Sequence, residues 1–349
     1  MSERVLSTRA LNRALLARQR LLERARAPLP RALEQVGGIQ AQYAPSMYVG
    51  LWSRLEGFSR DALTRALERR TVVQATVMRA TIHLVSARDY PVLTEGVRRQ
   101  RRASWLRAQP GRLDGVDMER AAATVRCALR EGPRRQADLT ALLEDEGFPR
   151  PAWSAVGLWV DMVRVPPSGT WERRRADLYG LAEDWLDLGE PSEEQGIELL
   201  LRRYLRGFGP ATANDAASWT GIPVSTLAPF LERMRLVRFR DEEGRELLDL
   251  PRAPRPDPDT SAPVRFLPTW DATLLAHARR TQILPEGYRP RIFHTRNPQS
   301  VPTFLVDGSV AGSWRYEDGR VRLDPFERLS RARMAEIEEE AERLAAFHA

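Results

Sequence analysis

The chain has 349 residues, a net charge of +7, 42% hydrophobic and 29% charged content, which indicates a folded globular protein rather than a disordered one. No apolar run approaches the roughly 18 residues that a membrane helix needs, and the first residues lack the apolar segment of a signal peptide. We therefore expect a cytoplasmic protein without a membrane partner, in which the single cysteine, Cys127, excludes an internal disulfide and a cysteine-based metal site.

The positive charge is carried by arginine alone, because the chain contains no lysine. The chain has a pI of about 10.2, and this positive charge points to a polyanionic partner. Arginine also suits contacts with phosphates and base edges better than lysine does.

The first third of the chain shows the apolar spacing of amphipathic helices, followed by two β-branched segments. Ser59 is a candidate N-cap, and Gly37-Gly38 ends a helix just before a short polar loop. Helices followed by a hairpin form a winged-helix pattern. The predicted elements are helices over 8–26, 31–36, 45–55, 59–68 and 86–102, with strands over 71–77 and 81–85 between the last two helices.

This order of helices and hairpin occurs twice more, at intervals of roughly 90 residues, as in an internal repeat. The second copy has helices over 118–131, 135–146 and 151–163 and strands over 162–165 and 177–181. The third copy has helices over 193–206, 212–219 and 224–235 and strands over 236–240 and 246–250. We predict three winged-helix units, over residues 1–113, 114–190 and 191–255.

A fourth region, residues 256–349, has a different composition. The proline-rich segment 251–263 predicts a linker, and Asp307-Gly308 and Asp318-Gly319 predict hairpin turns. The predicted strands are 264–267, 291–293, 303–316 and 320–323, before a final helix over 331–347. The fold class is therefore α+β, mainly α: tandem winged-helix units followed by a small antiparallel β-barrel or sheet.

Several kinds of catalytic site are missing from the sequence. The four histidines, at positions 83, 277, 294 and 348, lack metal-ligand spacing, and no glycine-rich phosphate loop joins a strand to a helix. We expect neither a metal nor a cofactor. Asp271 and Glu286 have no nucleophile beside them in the sequence and are interpreted as structural.

The candidate chemistry lies in the loop after Gly37-Gly38, where Gln40 and Gln42 stand one residue apart. Glutamine offers donors and an acceptor but never titrates, so such a pair can hold a water or a substrate edge without acting as a strong base. Thr81 and His83 share one face of an alternating strand after Arg79, and they could face the same groove. The alternatives are a surface cap for the glutamines and a structural role for His83.

Five segments of the sequence carry a resemblance to a known family. They are LARQRLL at 16–22, GIQAQ at 38–42, LWSRL at 51–55, MRATIHLV at 78–85 and PTFLVDG at 302–308. Together they resemble the AlkZ-type, or YcaQ-like, winged-helix DNA glycosylases, and the likeness extends over nearly the whole chain, including LPTWD at 267–271. That family is known for tandem winged helices around a concave channel for DNA.

The resemblance implies a monofunctional DNA glycosylase that releases N7-alkylated guanine and unhooks interstrand crosslinks. The family's catalytic motif is Gln-x-Gln in one branch, which includes self-resistance enzymes of antibiotic producers, and Gln40-Ala41-Gln42 fits it. Gln40 and Gln42 are then the predicted catalytic residues. A lyase step through a lysine is excluded because the chain has none.

The predicted partner is double-stranded DNA with an alkylated guanine or a crosslink, bound by a monomer. We predict that Arg79, Thr81, His83, Arg279, Arg280 and Arg315 contact that DNA. Two alternatives remain open: a transcriptional regulator without catalytic activity, and a protein that binds damage without releasing the base.

Overall fold

A computed structural model describes residues 4–278, 280–293 and 300–349. Its helices and three sheets confirm the α+β class. Among the described residues, no helix combines the length and the apolar character needed to span a bilayer.

The first unit begins with a short strand and contains five helices and a hairpin. Helix α1 starts at an N-cap, Ser7, and is shorter than the predicted 8–26. It ends because Arg20 adopts a left-handed conformation, φ 58°, while the amide of Leu21 turns back to donate to the carbonyl of Leu16. The elements are β1 (Val5–Leu6), α1 (Thr8–Arg18), α2 (Leu29–Val36), β2 (Ile39–Gln40), α3 (Ala44–Trp52), α4 (Arg60–Glu68), β3 (Val72–Thr76), β4 (Ile82–Ser86) and α5 (Asp89–Ala108).

The second unit follows the same order with smaller helices. Its third helix was predicted over 151–163 but ends at Val156, because Val163 instead pairs in a sheet with Ala75 of the first unit. The elements are α6 (Met118–Arg130), β5 (Arg134–Arg135), α7 (Gln136–Asp145), α8 (Pro151–Val156), β6 (Met162–Arg164), β7 (Leu178–Leu181) and α9 (Ala182–Trp185).

The hairpins of these two units share one sheet of six strands, in the order β2-β4-β3-β6-β7-β5. The joint is the antiparallel pair β3–β6, in which Gln74 faces Arg164. Strand β2, which carries Gln40, lies at one edge of this sheet. The sheet therefore couples the candidate glutamines to the second unit, which the repeat pattern did not predict.

The third unit contains α10 (Glu193–Phe208), α11 (Ala213–Thr220), α12 (Val224–Arg233), β8 (Val237–Asp241) and β9 (Glu246–Asp249). Its hairpin gains a third strand from the start of the chain, because β1 pairs in parallel with β8.

Helix α10 crosses α5 where Gly96 meets Gly196. Without side chains at this point, the two backbones can approach each other closely.

The crossing of α5 and α10 predicts a large effect of one added methyl group. A Cβ on Gly96 would overlap the backbone of Gly196, and neither helix backbone can yield cheaply. We expect Gly96→Ala to lower the free energy of unfolding by about 3 kcal/mol, measured by urea denaturation. Gly287→Ala, whose Cβ would meet nothing within 4 Å, is the matched control. Equal urea midpoints for the two variants would contradict this account of the crossing.

The last region packs its elements against the first unit. The segment 251–263 has no helix or strand and lies along α1, where Arg9 Nε donates to the carbonyl of Pro258 at 2.7 Å. The strands form an open antiparallel sheet in the order β10-β11-β12-β13, and no pairing of the described residues closes it into a barrel. The elements are β10 (Arg265–Leu267), α13 (Arg289–Ile292), β11 (Thr303–Val306), β12 (Ser309–Glu317), β13 (Arg320–Pro325) and α14 (Arg331–His348).

One predicted strand in this region, 291–293, is wrong. A 3₁₀ turn over Glu286–Tyr288 continues directly into α13, which buries Ile292 completely. Phe293 alone pairs with another strand-like residue, Ser300, in a single bridge. A helical turn therefore buries Ile292, where the sequence suggested an alternating strand.

Two bidentate ion pairs without solvent access connect distant parts of the chain. Arg54 binds Asp271 with N–O distances of 2.8 and 2.9 Å, and Arg18 binds Asp249 at 2.7 and 2.9 Å. All four side chains are at most 3% exposed. Asp271 is structural, as the sequence indicated, and it fixes the first unit to the last region.

Candidate active site around two glutamines

Two consecutive glycines direct the candidate loop away from α2. Gly37 and Gly38 both have left-handed backbones, with φ of 85° and 78°. A Cβ on Gly37 would lie 3.1 Å from the Phe208 ring, and one on Gly38 would lie 3.2 Å from the carbonyl oxygen of Leu84. Glycine is favoured at both positions, because the left-handed conformation strains other residues and because an added Cβ would pack tightly against its neighbours.

Both glutamines are held by the neighbouring strand β4. Gln40 pairs with His83 through the backbone, and the side-chain Oε1 of Gln40 accepts from Arg79 Nη2 at 3.4 Å. Gln42 accepts at its Oε1 from the amide of Ile82 at 3.3 Å. Between them, Ala41 donates its amide to the carbonyl of Ile82 at 2.7 Å. Gln40 is buried and Gln42 is exposed, so the two side chains differ in their access to solvent.

Arg79 lies at the centre of this group. Its Nη1 donates to the carbonyl of Trp219 at the end of α11, at 2.9 Å, and its Nη2 reaches Gln40. Burial, and then the neighbouring charge of Arg280, lower the pKa of Arg79 to about 10, so the side chain remains a cation at neutral pH. Arg79 and Ala80 both have left-handed backbones, a strained arrangement for residues other than glycine. The turn thus holds one cation between the first and third units, beside Gln40.

His83 is buried and uncharged. Its Nδ1 lies 3.0 Å from the carbonyl oxygen of Thr81. Since a carbonyl can only accept, Nδ1 is the donor, and the lone pair of the neutral ring lies on Nε2. Burial, and then the charge of Arg79, lower the pKa of His83 to about 3. Thr81 is half-buried and donates its hydroxyl to the carbonyl of Met78 at 3.1 Å. The site therefore has a neutral imidazole where an acid catalyst would require a protonated one.

The low pKa of His83 predicts a loss of stability towards acid. The unfolded chain binds a proton at its ordinary pKa of about 6.5, whereas the folded His83 does not until about pH 3. Stability is therefore lost as the pH falls from about 6.5 towards 3, at up to about 1.4 kcal/mol per pH unit. In urea titrations at several pH values, His83→Gln is expected to make this slope shallower. An unchanged slope in the variant would contradict the assignment.

The other predicted DNA-binding residues lie in two different places. Arg280 is half-buried, with its guanidinium carbon 4.7 Å from the centre of the Phe293 ring, and it is near enough to Arg79 to affect its pKa. Arg315 is exposed on β12, where its Nε contacts Glu317 at 3.1 Å. Arg279 lies outside the described residues.

The sequence did not identify two residues that adjoin the glutamine loop. Tyr43 follows Gln42 and is 40% exposed, unusual for a large aromatic side chain. Its hydroxyl accepts from Arg174 Nη1 at 3.3 Å, in the basic loop between β6 and β7. That loop is fixed by Gln74, whose amide donates to the carbonyl of Gly169 at 2.6 Å. The arginine cluster at 173–175 was visible in the sequence, but its position beside the glutamines follows only from the shared sheet.

No group of three potential ligands that could hold a metal ion occurs in the ranges that the structure covers. The site that can be built from these residues has two neutral amides, a neutral imidazole and an arginine. Such groups can orient a water and stabilise charge through fixed dipoles. Strong acid or base catalysis would need a group that titrates near neutral pH.

Comparisons with known proteins agree on one relationship. A family model described as DNA glycosylase AlkZ-like matches residues 33–347. The fold is similar to that of Streptomyces sahachiroi DNA glycosylase AlkZ, with a TM-score of 0.81 and 19% sequence identity, over 99% of this chain and 97% of that chain. A search of curated proteins finds no match.

Proposed function

The chain belongs to the AlkZ-like DNA glycosylase family, and we propose that it hydrolyses the N-glycosidic bond of guanine alkylated at N7. The observation that carries this proposal is the group of neutral side chains around Gln40 and Gln42. N7-alkylguanine already bears a positive charge, so it leaves without being protonated by the enzyme. What remains is to position a water and to stabilise a sugar with oxocarbenium character.

The two glutamines divide this work in the proposed mechanism. Gln42 is exposed and positions the attacking water, while Gln40, which accepts from the Arg79 cation, acts on the sugar-phosphate side. The neutral His83 spares undamaged purines, because their poor leaving groups would need an acid. Hydrolysis leaves an abasic site, and the absence of lysine excludes a lysine Schiff base that would cut the strand.

Double-stranded DNA is the proposed partner. Its contacts include Arg79, Thr81, His83, Arg279, Arg280 and Arg315, and the three helix-and-hairpin units act as winged helices around the duplex. The net charge of +7 supports binding to a polyanion. The proposed substrates also include interstrand crosslinks. The proposed role is DNA repair or self-resistance against an alkylating antibiotic. We propose that the protein acts as a monomer.

One experiment separates this proposal from a protein that only binds DNA. The protein is incubated with an oligonucleotide that carries N7-methylguanine or a crosslink, and hot alkali then reveals abasic sites as strand breaks. Breaks at the lesion are expected. Tight binding to one promoter sequence without breaks would favour a transcriptional regulator, and binding to the lesion without breaks would favour a damage-binding protein.

A further inference from the structure

A cavity of about 230 Å³ opens beside the glutamine loop. It begins at Tyr43, whose Cα lies about 3.8 Å from that of Gln42 because the two residues are adjacent. Its other walls come from α3, from the basic loop after β6, from β12 and from the last residue of α14. The cavity is therefore formed by three parts of the chain that are distant in sequence, next to the proposed catalytic residues.

The walls of the cavity are aromatic. Tyr316 stacks on His348, with ring centres 4.2 Å apart and an angle of 23° between the planes. Trp171 packs edge-on against the same histidine at 5.0 Å, and Tyr43 borders the cavity from its exposed position. Trp314 also contributes to the wall, and its indole nitrogen is already bonded to the carbonyl of Leu267. Such walls suit a flat ring system.

Charge at the cavity is positive. Arg174 and Arg315 both line it, and none of the lining residues within the described part of the chain is acidic. Both arginines are exposed, so they can meet a phosphate at the entrance. Burial, and then the charges of Arg174 and Arg60, lower the pKa of His348 to about 4, so this imidazole is neutral at physiological pH. An occupant with an aromatic part and an anionic part matches this arrangement better than a cation does.

We infer that this cavity binds one unstacked nucleobase of the substrate DNA, next to the lesion. The base stacks among Tyr43, Tyr316 and His348, and the neighbouring phosphates meet Arg174 and Arg315. This inference rests on the proposed function, since it assigns the occupant to the DNA being repaired. A nucleotide fits the rim and the interior together, whereas an alkyl adduct alone has no phosphate for the arginines.

The test measures whether the cavity and one particular base act together. Duplexes carry a tetrahydrofuran abasic analogue at the lesion, which cannot be cleaved, and in each duplex one further nucleotide around it lacks its base. Binding is measured for the wild type and for Tyr43→Ala. At one position, base removal is expected to weaken binding of the wild type about 5- to 100-fold, the usual range for one stacked base. In the variant the same removal is expected to have little effect.

The comparison of wild type with variant removes the effect that base loss has on the DNA itself. Tyr43→Phe, which keeps the ring, should behave as the wild type, and Leu106→Ala is a control at an exposed apolar residue away from the cavity. If Tyr43→Ala weakens binding to every duplex by the same factor, the cavity does not hold a base. Base release from N7-methylguanine in that case would leave the proposed function intact, and its absence would overturn the function independently.

Discussion

Replacing Gln42 with alanine is expected to lower the rate of base release from N7-methylguanine DNA about 10²- to 10³-fold, the usual loss when one fixed dipole is removed from a reaction centre. Gln42 is exposed, and its contact within the protein is a long hydrogen bond to the amide of Ile82, so the fold should survive the change. Single-turnover rates and binding to an uncleaved duplex are measured in parallel. The rate should fall while binding changes little.

Gln40→Ala is expected to reduce the rate by a similar factor, with some loss of stability because Gln40 is buried against His83 and Arg79. Gln35→Ala is the matched control. Gln35 lies on α2, the helix just before the glutamine loop. Among the described contacts, its side chain accepts only from Arg20, at 3.0 Å. Full activity in Gln42→Ala, or an equal loss in Gln35→Ala, would remove the two glutamines from the mechanism.

Asp271→Ala is expected to lower the free energy of unfolding by about 3–5 kcal/mol, because it leaves the guanidinium of Arg54 buried without its carboxylate. Arg54 has few other acceptors: Gln19 at 3.2 Å and the carbonyl of Gly50 at 3.0 Å. Urea denaturation measures the loss. Asp259→Ala, at an exposed site, is the control and should change stability by less than about 0.5 kcal/mol.

The contribution of the Arg54–Asp271 pair to the free energy of unfolding depends on pH. Burial by itself would raise the pKa of Asp271, but the charge and hydrogen bonds of Arg54 and the contacts from Thr273 hold it below the usual value. The stability it contributes is therefore complete above the unfolded carboxyl pKa of about 3.9, and it is lost as the pH falls through the folded value. The stability difference between the wild type and Asp271→Ala should therefore shrink as the pH falls below about 3.9, and a difference that stays constant there would argue against this account.

The sequence predicted the local elements well where capping and turn chemistry decide them. Ser59 caps α4 as predicted, the helix predicted over 212–219 is α11, and Met78–Ala80 forms the turn between β3 and β4. The glycine pair before the glutamines has the left-handed conformation that the residue type suggested. These features depend on neighbours in the chain, so a single sequence contains the information.

Contacts between distant segments were beyond the sequence. Nothing in the residues around Gln74 and Arg164 indicates that their strands pair and unite two hairpins in one sheet. The contact of Arg79 with Trp219 and the cavity beside Tyr43 likewise join segments more than a hundred residues apart. The nature of the candidate site was predictable from Gln40 and Gln42, but the surrounding shape depended on tertiary packing.

The pairing of β1 with β8 also affects how the protein is made. Val5 pairs with Arg240, which lies 235 positions later in the chain. At about 5–20 residues per second, a ribosome needs on the order of tens of seconds to deliver that partner. During this time the first strand has to wait with unpaired backbone groups, exposed to chaperones and to other nascent chains. Translation speed over the first 240 codons should therefore influence the yield of soluble protein more than it would for a chain whose units close in order.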